Sequence, residues 1–473
     1  MTRLNHVMRT AAATVGVVAL LGCDTLLKVS NPEEININDL NQKNPTMINA
    51  LVYGAIGDFT HMYDDPFIWR GSMLTDEQVT GVNWEQTARL NLRIVQYNEG
   101  DADLMFTEIS RALRQAEDVY ERLGTLETYP DSSRNRALMA AFAGYSYTVM
   151  GEAMCEAVIS KVNTQTGEIE FGQYLLTPDS LFLRGINWFN QAIAMATKVG
   201  DQNIVNLARV GTARAALNAN QNAVAIAAAT PVPATFKWWL DFSDATDRET
   251  NNQYTNITGT NHRLGMSPRF LQSGGQPFGT QRLVASQTDP RIQADTNWTL
   301  GHNALTKLYK IRQGLRFDGY NGGRWSLRGQ TGFVAPAAYA RGTDILLADG
   351  IEAQHHLYEA MGPSAATATF VNSRRAVGFQ PAITYNLPAD NAALMSELRE
   401  QRARDLFQGG FRLGDLRRWL RNGVNDPNHV FPSGQHVNYP AAAWLTYGNA
   451  TCYPLPLDEY EGNPFIKDLK PGS

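Results

Sequence analysis

Six segments between residues 46 and 230 place apolar residues at the spacing of an α-helix, and this pattern constrains the fold most strongly. In the first of them, Ile48, Val52 and Phe59 fall on one face. A stripe of this kind is normally buried against another element of the protein. The six segments are residues 46–60, 104–124, 135–154, 180–200, 202–218 and 221–230.

The order of these segments predicts antiparallel helical pairs. Residues 135–154 are rich in small side chains, which allow helices to cross closely. Tetratricopeptide-type arrays are built from such pairs, although the repeat signature is degenerate here. Gly124 and Gly200 are predicted C-caps of their helices. We therefore predict a mainly α fold with tetratricopeptide-like helical pairs, over about residues 46–230 and 342–423.

Other parts of the chain lack helical spacing. Residues 234–340 gain Gly, Asn, Thr and aromatic residues, which predicts an irregular, loop-rich insertion bearing short strands. A loop-rich stretch with exposed aromatic residues is predicted at 61–86. The tail at 449–464 is Pro-rich and predicted to be extended across the surface. Helical spacing resumes in three later segments, which are residues 342–360, 366–378 and 393–410.

The N-terminus has the pattern of an export signal. Arg3 and Arg9 give a positive region, and residues 10–21 form an apolar run. The run is shorter than the about 20 residues that a membrane-spanning helix needs. It ends in the letters LLGC, which resemble the bacterial lipobox, whose cysteine (here Cys23) is acylated. A plain signal peptide with an incidental cysteine is the alternative.

The lipobox predicts a signal peptide of residues 1–22 and a mature chain of residues 23–473. Cys23 would carry the lipid, including a palmitate-type acyl chain, and would tether the protein to a membrane. Asp24 follows the acylated residue and retains lipoproteins in the inner membrane of some bacteria. The lipobox therefore leaves the destination membrane open.

Two cysteines remain once Cys23 is assigned to lipidation. Cys155 and Cys452 form an even pair in an exported protein, where the compartment is oxidising. A disulfide between them is one hypothesis, and two buried free thiols are the other.

Charge argues against a nucleic-acid partner. The formal net charge is −5 and the pI is about 5.9, so the chain has no overall basic field. Residues 397–423 nevertheless contain seven arginines interleaved with acids at helical spacing. Glu400 precedes Arg404 by four residues, and Asp415 precedes Arg418 by three. The arginines are Arg399, Arg402, Arg404, Arg412, Arg417, Arg418 and Arg421.

We interpret this arginine-rich block as structural. Asp405, three residues after Arg402, supplies another possible ion pair, and Gly409 and Gly410 interrupt the helical spacing. The pattern predicts a helix–Gly–helix corner whose guanidinium groups bridge carboxylates and helix-end carbonyls.

The sequence contains no enzymatic motif of the common classes, and we predict no cofactor and no metal site. His355 and Glu359 are one helical turn apart, but two ligands fall short of a usual metal site. Asp241, Asp244 and Asp247 lack the spacing of a calcium loop and are interpreted as a solvated helix face. A glycosidase needs only two carboxylates at the right separation, so the sequence leaves that activity open.

Several motifs follow one another along most of the mature chain. They include MLTDEQV at 73–79, DPR at 289–291, VNSRRAVG at 371–378 and the block REQRARDLFQGGFRLGDLRRW at 399–419. In this order, and after the lipobox, they resemble the SusD/RagB family of outer-membrane nutrient-uptake lipoproteins. Gln401 and Gln408 stand where the family usually has Glu, so neutral hydrogen bonds are expected in place of ion pairs.

The resemblance implies a function as well as a fold. Family members sit over a SusC-like TonB-dependent β-barrel transporter and deliver bound oligosaccharide, or in some relatives peptide, without bond chemistry. By this resemblance the chain is a surface-exposed, lipid-anchored protein of the cell outer membrane that is not an enzyme. The loop-rich insertion at about 234–340 would face the ligand.

Aromatic residues are the candidate ligand contacts, because sugar rings stack on them through their C–H faces. Trp188 and Trp419 lie in amphipathic segments and are predicted core residues. Loop aromatics often only anchor a loop, so the functional interpretation competes with a structural one. The candidates lie in polar or Gly-rich stretches and are Trp69, Trp84, Trp298, Tyr320 and Trp325.

Three hypotheses for function follow from the sequence. The first is a nutrient-binding lipoprotein of a barrel transporter. The second is a lipid-anchored glycan-cleaving enzyme, and the third is a protein-interaction scaffold without a small ligand. Exposed aromatic side chains favour the first, and buried ones favour the third.

Overall fold

The computed structural model describes the greater part of the chain from residue 45 onward. The described ranges are 45–82, 84–126, 131–163, 166, 168–252, 264–271, 289, 291–294, 299–300, 307–308, 311–314, 341–378, 380–436 and 445–470. The predicted signal peptide and Cys23 therefore lie outside the described residues.

Helices form most of the described structure, which confirms the mainly α prediction. A π-helical turn at Tyr63–Ile68 and 3₁₀ turns at Pro268–Leu271 and Lys467–Leu469 accompany them. The helices are α1 Pro45–Met62, α2 Trp69–Met73, α3 Glu85–Asn91, α4 Gly100–Gly124, α5 Ser132–Ala153, α6 Pro178–Val199, α7 Gln202–Asn218, α8 Asn222–Ala229, α9 Gly350–Met361, α10 Ala365–Val377, α11 Asn391–Asp405, α12 Arg412–Arg421 and α13 Leu457–Gly462.

Helices α4 to α8 pack consecutively, each against the next, as antiparallel repeat pairs would. Small residues bring α5, α6 and α7 close together around the ring of Phe189. A Cβ atom added at Gly211 would lie 2.3 Å from the Cζ atom of Phe189, and one added at Gly144 would lie 2.7 Å from the same ring. The small-residue content of these segments therefore sets how closely the helices approach.

Helix ends follow the sequence signals in part. Gly200 takes a φ of 75° and caps α6, as predicted. The prediction for Gly124 is wrong, because α4 continues through it and Thr125 is the C-cap.

Short antiparallel strand pairs complete the fold, and those between residues 237 and 314 agree with the predicted insertion of loops and short strands. The pairs are β1 Gln78–Thr80 with β5 Leu264–Met266, β2 Lys161–Val162 with β3 Ile169–Glu170, β4 Lys237–Leu240 with β10 Ile345–Asp349, β6 Ile292–Ala294 with β9 Ile311–Gly314, and β7 Thr299–Leu300 with β8 Lys307–Leu308.

The helix predicted at 342–360 is only half correct. Residues 345–349 form a wholly buried strand that pairs with β4, and the helix begins at Gly350. A continuous apolar run is compatible with either structure, and burial on both faces selects the strand. Asp349 then caps α9 by accepting a hydrogen bond from the backbone N–H of Glu352 at 2.7 Å.

The loop predicted at 61–86 is also partly wrong. Its first half is helical and buried, with Tyr63 and Phe67 in the core. Pro66 interrupts the helical spacing, and Asp65 has the extended φ of −129° at the kink. The apolar residues of this segment therefore do not show the periodicity of a regular helix.

The C-terminal tail enters the interior, contrary to the prediction of a surface strand. Tyr453 is fully buried, forms a parallel bridge with Met154 and donates from its hydroxyl to the backbone O of Arg70 at 2.8 Å. The sulfur atoms of Cys155 and Cys452 are joined at 2.02 Å beside this bridge. The two cysteines therefore link the end of α5 to the tail.

Candidate functional site

The arginine-rich block, residues 397–423, is paired throughout with carboxylates or carbonyls. Arg404 pairs with Glu400, and Arg418 pairs with Asp415 at 2.9 Å, as the spacing predicted. Arg417 donates to the backbone carbonyls of Gly151 and of its neighbour at the end of α5. These contacts confirm the interpretation of the block as a structural corner.

One predicted pair in the block is wrong. Arg402 pairs with Asp415 at 2.7 Å rather than with Asp405. Asp405 instead contacts Arg291 at 3.0 Å and Arg374 at 2.7 Å, and both of these arginines lie outside the block. Residues distant in sequence supply the partners, and helical spacing carries no information about them.

Hydrogen bonds of the amide groups are present at the two glutamines, although one of them goes to the carboxylate of Glu397. Gln401 donates from Nε2 to Gln380 at 2.8 Å and to Glu397 at 2.7 Å. The side-chain oxygen of Gln408 accepts from Nε2 of Gln78.

The Asp-Glu element at 76–77 is attached to the arginine-rich block. Asp76 contacts Arg412 through two hydrogen bonds of 2.6 Å and also contacts Arg269 at 2.9 Å. Burial opposes ionisation of Asp76, but the two guanidinium groups outweigh it and hold the pKa of this carboxyl below its usual range.

Glu77 lies in the opposite environment. Burial raises the pKa of Glu77 to about 8, although one of its oxygens accepts from the backbone N–H of Gln408 at 3.1 Å. Two adjacent carboxyl groups thus hold the strand that leads to α3. Asp76 is ionised at neutral pH, and Glu77 is protonated.

Trp84 stands immediately before α3, a helix whose far end is held by Asn91. The side chain of Trp84 is 45% exposed. Asn91 at the other end of α3 donates to the backbone O of Met73 at 3.1 Å and of Gln78 at 3.2 Å. Asn91 also accepts from the backbone N–H of Thr80 at 3.1 Å. The structure therefore presents a half-exposed indole at the start of an anchored helix.

A polar cleft of about 160 Å³ lies beside the ion pairs of Asp76. The segment 427–433 forms one wall of the cleft. Arg93, just beyond α3, donates to the backbone O of Pro432 and lies 4.8 Å from the ring centre of Phe431. The charged lining residues are Asp76, Arg269, Glu400 and Arg404. The helix that follows Trp84 is therefore fastened at its far end to the wall of this cleft.

The carboxylates of the cleft are unsuited to acid catalysis. Burial of Glu400 is outweighed by Arg269 and Arg404, which hold its pKa well below the usual range. A glycosidase needs one carboxyl with a raised pKa open to the substrate. The neighbouring acid with a raised pKa, Glu77, is buried. Neither Glu400 nor Glu77 therefore meets this requirement.

The possible metal ligands make other contacts. His355 contacts Asp405 at 2.7 Å, whereas Glu359 accepts from Arg418 at 2.9 Å and from the indole N–H of Trp419 at 2.7 Å. Within the described ranges, no group of three or more His, Cys, Asp or Glu side chains is arranged to hold a metal ion.

The acidic triplet Asp241, Asp244 and Asp247 is exposed to solvent, as predicted, but the prediction that it lies on a helix is wrong. These residues form a turn-rich loop. Asp244 and Asp247 contact Arg341 at 3.2 Å and 2.8 Å, so the exposed carboxylates hold the loop against the chain that returns before β10.

The structure separates the candidate aromatic residues. Trp69 is only 4% exposed and the guanidinium of Arg70 lies 4.0 Å from its ring centre, so this indole offers no surface for stacking. The candidates Trp298, Tyr320 and Trp325 lie outside the described residues and stay predictions.

The two predicted core tryptophans differ. Trp419 is buried, as predicted. Trp188 is partly exposed and packs edge-on against Tyr120, with ring centres 4.9 Å apart.

Sequence reasoning missed the cleft wall at 427–433 and four exposed aromatic side chains in the described ranges, which are Tyr53, Phe171, Tyr174 and Phe465. The letters EFGQY at 170–174 were a usable signal, since aromatics beside Gly on a short hairpin tend to be exposed. Nothing in the sequence connects 427–433 with Arg269.

None of the helices in the described ranges is both long enough and apolar enough to cross a bilayer.

Solved structures with the same fold exist, although no protein-family model and no curated protein matches this sequence. A SusD superfamily protein from Bacteroides vulgatus ATCC 8482 matches with a TM-score of 0.59 at 14% identity, over 89% of this chain and 98% of that one. A SusD-like carbohydrate binding protein from the same organism matches with a TM-score of 0.60 at 13% identity, over 90% and 98% of the two chains.

A third structure extends the likeness to another genus. A SusD superfamily protein from Parabacteroides distasonis ATCC 8503 matches with a TM-score of 0.61 at 12% identity, over 89% of this chain and 98% of that one. The matches agree with the resemblance carried by the sequence motifs, and they span nearly the whole of each solved chain. The chain therefore has the fold of the SusD superfamily.

Proposed function

We propose that this protein binds oligosaccharide, or alternatively peptide, nutrients at the outer membrane and delivers them to a TonB-dependent β-barrel transporter. The observation that carries the proposal is the half-exposed Trp84 at the start of an anchored helix. An indole held in this way gives a sugar ring an apolar face at little entropic cost. One solved structure of the same fold is described as a carbohydrate binding protein.

The proposed protein is a binding protein and not an enzyme. The carboxylates that line the cleft, those of Asp76 and Glu400, form ion pairs with Arg269. Such pairs support a rigid platform and keep the cleft carboxylates Asp76 and Glu400 ionised rather than available as proton donors.

The proposed lipid anchor rests on the lipobox, and the proposed outer-membrane destination rests on the family resemblance. Cleavage before Cys23 and acylation of its thiol would tether a mature chain of residues 23–473 to the outer membrane, on the cell surface. Metabolic labelling with a palmitate analogue tests this step. We expect label on the wild-type protein and none on Cys23→Ala, and label retained by the variant would contradict the assignment.

Affinity electrophoresis tests ligand binding directly. Purified protein should be retarded by at least one polysaccharide of a panel, and Trp84→Ala should lose that retardation while its melting temperature stays nearly unchanged. Tyr53→Ala is the matched control, because Tyr53 is an exposed aromatic on α1 outside the candidate site. Retention of full retardation by Trp84→Ala would exclude this indole as a stacking platform.

Calorimetry on the same purified protein distinguishes a peptide ligand from a glycan ligand. Calorimetric titration with a peptide mixture should give heat only if the peptide alternative is correct. Release of reducing sugar by the purified protein would instead establish the enzyme hypothesis.

A further inference from the structure

A second groove lies on the outer side of α4, between this helix and the segment 158–160. Its volume is about 250 Å³, and Glu459 of α13 closes one end. Phe106, Leu113 and Val158 give it an apolar floor, and hydroxyl groups line its wall. These hydroxyls belong to Thr107, Ser110 and Ser160. The groove thus combines an apolar surface with polar groups, as carbohydrate sites do.

The groove also contains a cation without a partner. Arg114 is exposed and makes no ion pair or hydrogen bond to any residue in the described ranges, whereas its neighbour Arg111 is held by Glu108 at 2.7 Å and 2.9 Å. The buried hydroxyl oxygen of Ser110 also lacks a hydrogen-bond partner within the described part of the chain. The groove therefore offers a ligand one exposed guanidinium that is unpaired within the described part of the chain.

In the described ranges, neither acid of the groove forms an ion pair with Arg114, and Glu117 is paired with Lys161 instead. Burial raises the pKa values of Glu117 and Glu459 above the usual range. Glu117 already accepts from the hydroxyl of Tyr147 at 2.9 Å and has Lys161 at 3.7 Å. An anionic group of a ligand would be favoured at Arg114.

Exposed aromatic side chains lie in two segments that are hydrogen-bonded, directly or through Gly172, to the groove residue Ser160. Gly172 donates from its backbone N–H to the hydroxyl of Ser160, a groove residue, at 3.1 Å. Its carbonyl accepts from the side chain of Asn463 at 2.8 Å. Three aromatic side chains lie within two residues of these contacts, and their exposed fractions are 38% for Phe171, 60% for Tyr174 and 55% for Phe465.

We propose that this groove and the exposed aromatic side chains of these two segments bind an acidic oligosaccharide, independently of Trp84. Sugar rings would stack on Tyr174 and Phe465, and a uronate carboxylate would pair with Arg114. The hydroxyls of the groove would bind those of the sugar. The inference shares its ligand class with the proposed function but uses none of the residues on which that function rests.

Titration calorimetry with a galacturonate trisaccharide tests the site, with uncharged maltotriose as the comparison. The full mature chain should bind the acidic probe more tightly, and added salt should weaken that binding because the ion pair is near the surface. Arg114→Gln should reduce affinity for the acidic probe by about tenfold and remove most of the salt dependence, in line with a charged hydrogen bond. Tyr174→Ala should weaken both probes.

Control variants distinguish failure of this second site from failure of the proposed function. Tyr53→Ala and Trp84→Ala should leave binding of the acidic trisaccharide unchanged. Loss of binding in Trp84→Ala together with full binding in Arg114→Gln would overturn the second site and leave the proposed function intact. Absence of any binding of the acidic trisaccharide at millimolar concentration would also overturn it. All of the substituted side chains are exposed, so folding should be preserved, and unchanged melting temperatures would verify this.

Discussion

The adjacent acids Asp76 and Glu77 should give opposite pH dependences of stability. Both are buried, but of the two only Asp76 forms ion pairs with guanidinium groups in the described ranges, those of Arg412 and Arg269. We consider the isosteric change Glu77→Gln, which keeps an oxygen that can accept the backbone hydrogen bond from Gln408. The change removes titration while nearly preserving packing.

The direction of the pH dependence follows from the pKa of Glu77 in the folded and in the unfolded protein. Its pKa is about 8 in the folded protein and 4.5 in the unfolded reference. Below pH 4.5 both states are protonated, and the stabilising contribution is complete. As pH rises towards 8, unfolding releases a proton, and the free energy of unfolding falls by about 1.4 kcal/mol per pH unit.

The expected change in stability can be expressed as a shift in melting temperature. Between pH 4.5 and 7 the wild-type protein should lose about 3 kcal/mol relative to Glu77→Gln. For a chain of roughly 450 residues the entropy of unfolding converts this into about 3 °C. Other titrating groups are common to both proteins and cancel in the difference.

Chemical denaturation at a series of pH values from 4.5 to 8 is the appropriate assay. The stability difference between Glu77→Gln and wild type should grow steadily in favour of the variant. A difference independent of pH would refute the reasoning, because Glu77 would then have an ordinary pKa in the folded state.

Asp76→Asn supplies the matched control. The pKa of Asp76 is lowered, so its contribution is present above the unfolded value of 3.8 and is lost as pH falls through the folded value. The variant should be destabilised by about 3–5 kcal/mol at neutral pH, because Arg412 is left without its carboxylate. The deficit should shrink as the solution is acidified below pH 4.

Three further predictions concern the scaffold. Gly211→Ala should destabilise the protein by about 1–3 kcal/mol because the added Cβ meets an aromatic ring, whereas Gly54→Ala, with open space around it, should stabilise it by up to about 1 kcal/mol in urea unfolding. Asp405→Asn should lower the free energy of unfolding by about 3–5 kcal/mol, and a loss below 1 kcal/mol would contradict its role between two arginines. Cys155 and Cys452 should resist alkylation in unfolded, unreduced protein and react after reduction; two modified thiols before reduction would exclude the bond.

The helical scaffold was predictable because its apolar spacing repeats over long segments. Residues 202–218, for example, match α7 at both ends. Strand β10 was misassigned because a short apolar run carries no periodicity when both faces are buried. The buried helix after Tyr63 was missed because Pro66 obscured its spacing.

The candidate site was harder to predict from the sequence than the helical scaffold. The exposure of Trp84 was predicted correctly from its polar surroundings, whereas Trp69 was misjudged although its surroundings looked similar. The difference lies in tertiary contacts, since Arg70 covers the ring of Trp69 while contacting Asp101 at 2.9 Å. Such long-range packing leaves no local pattern in the chain.

Calorimetric titration of the mature chain with a glycan that retards it in electrophoresis tests the central claim most directly. Saturable binding is expected for the wild-type protein and for Tyr53→Ala, with affinity reduced about two- to twelvefold in Trp84→Ala by loss of an aromatic stack of roughly 0.5–1.5 kcal/mol. Equal affinity of all three proteins for that glycan would contradict the account.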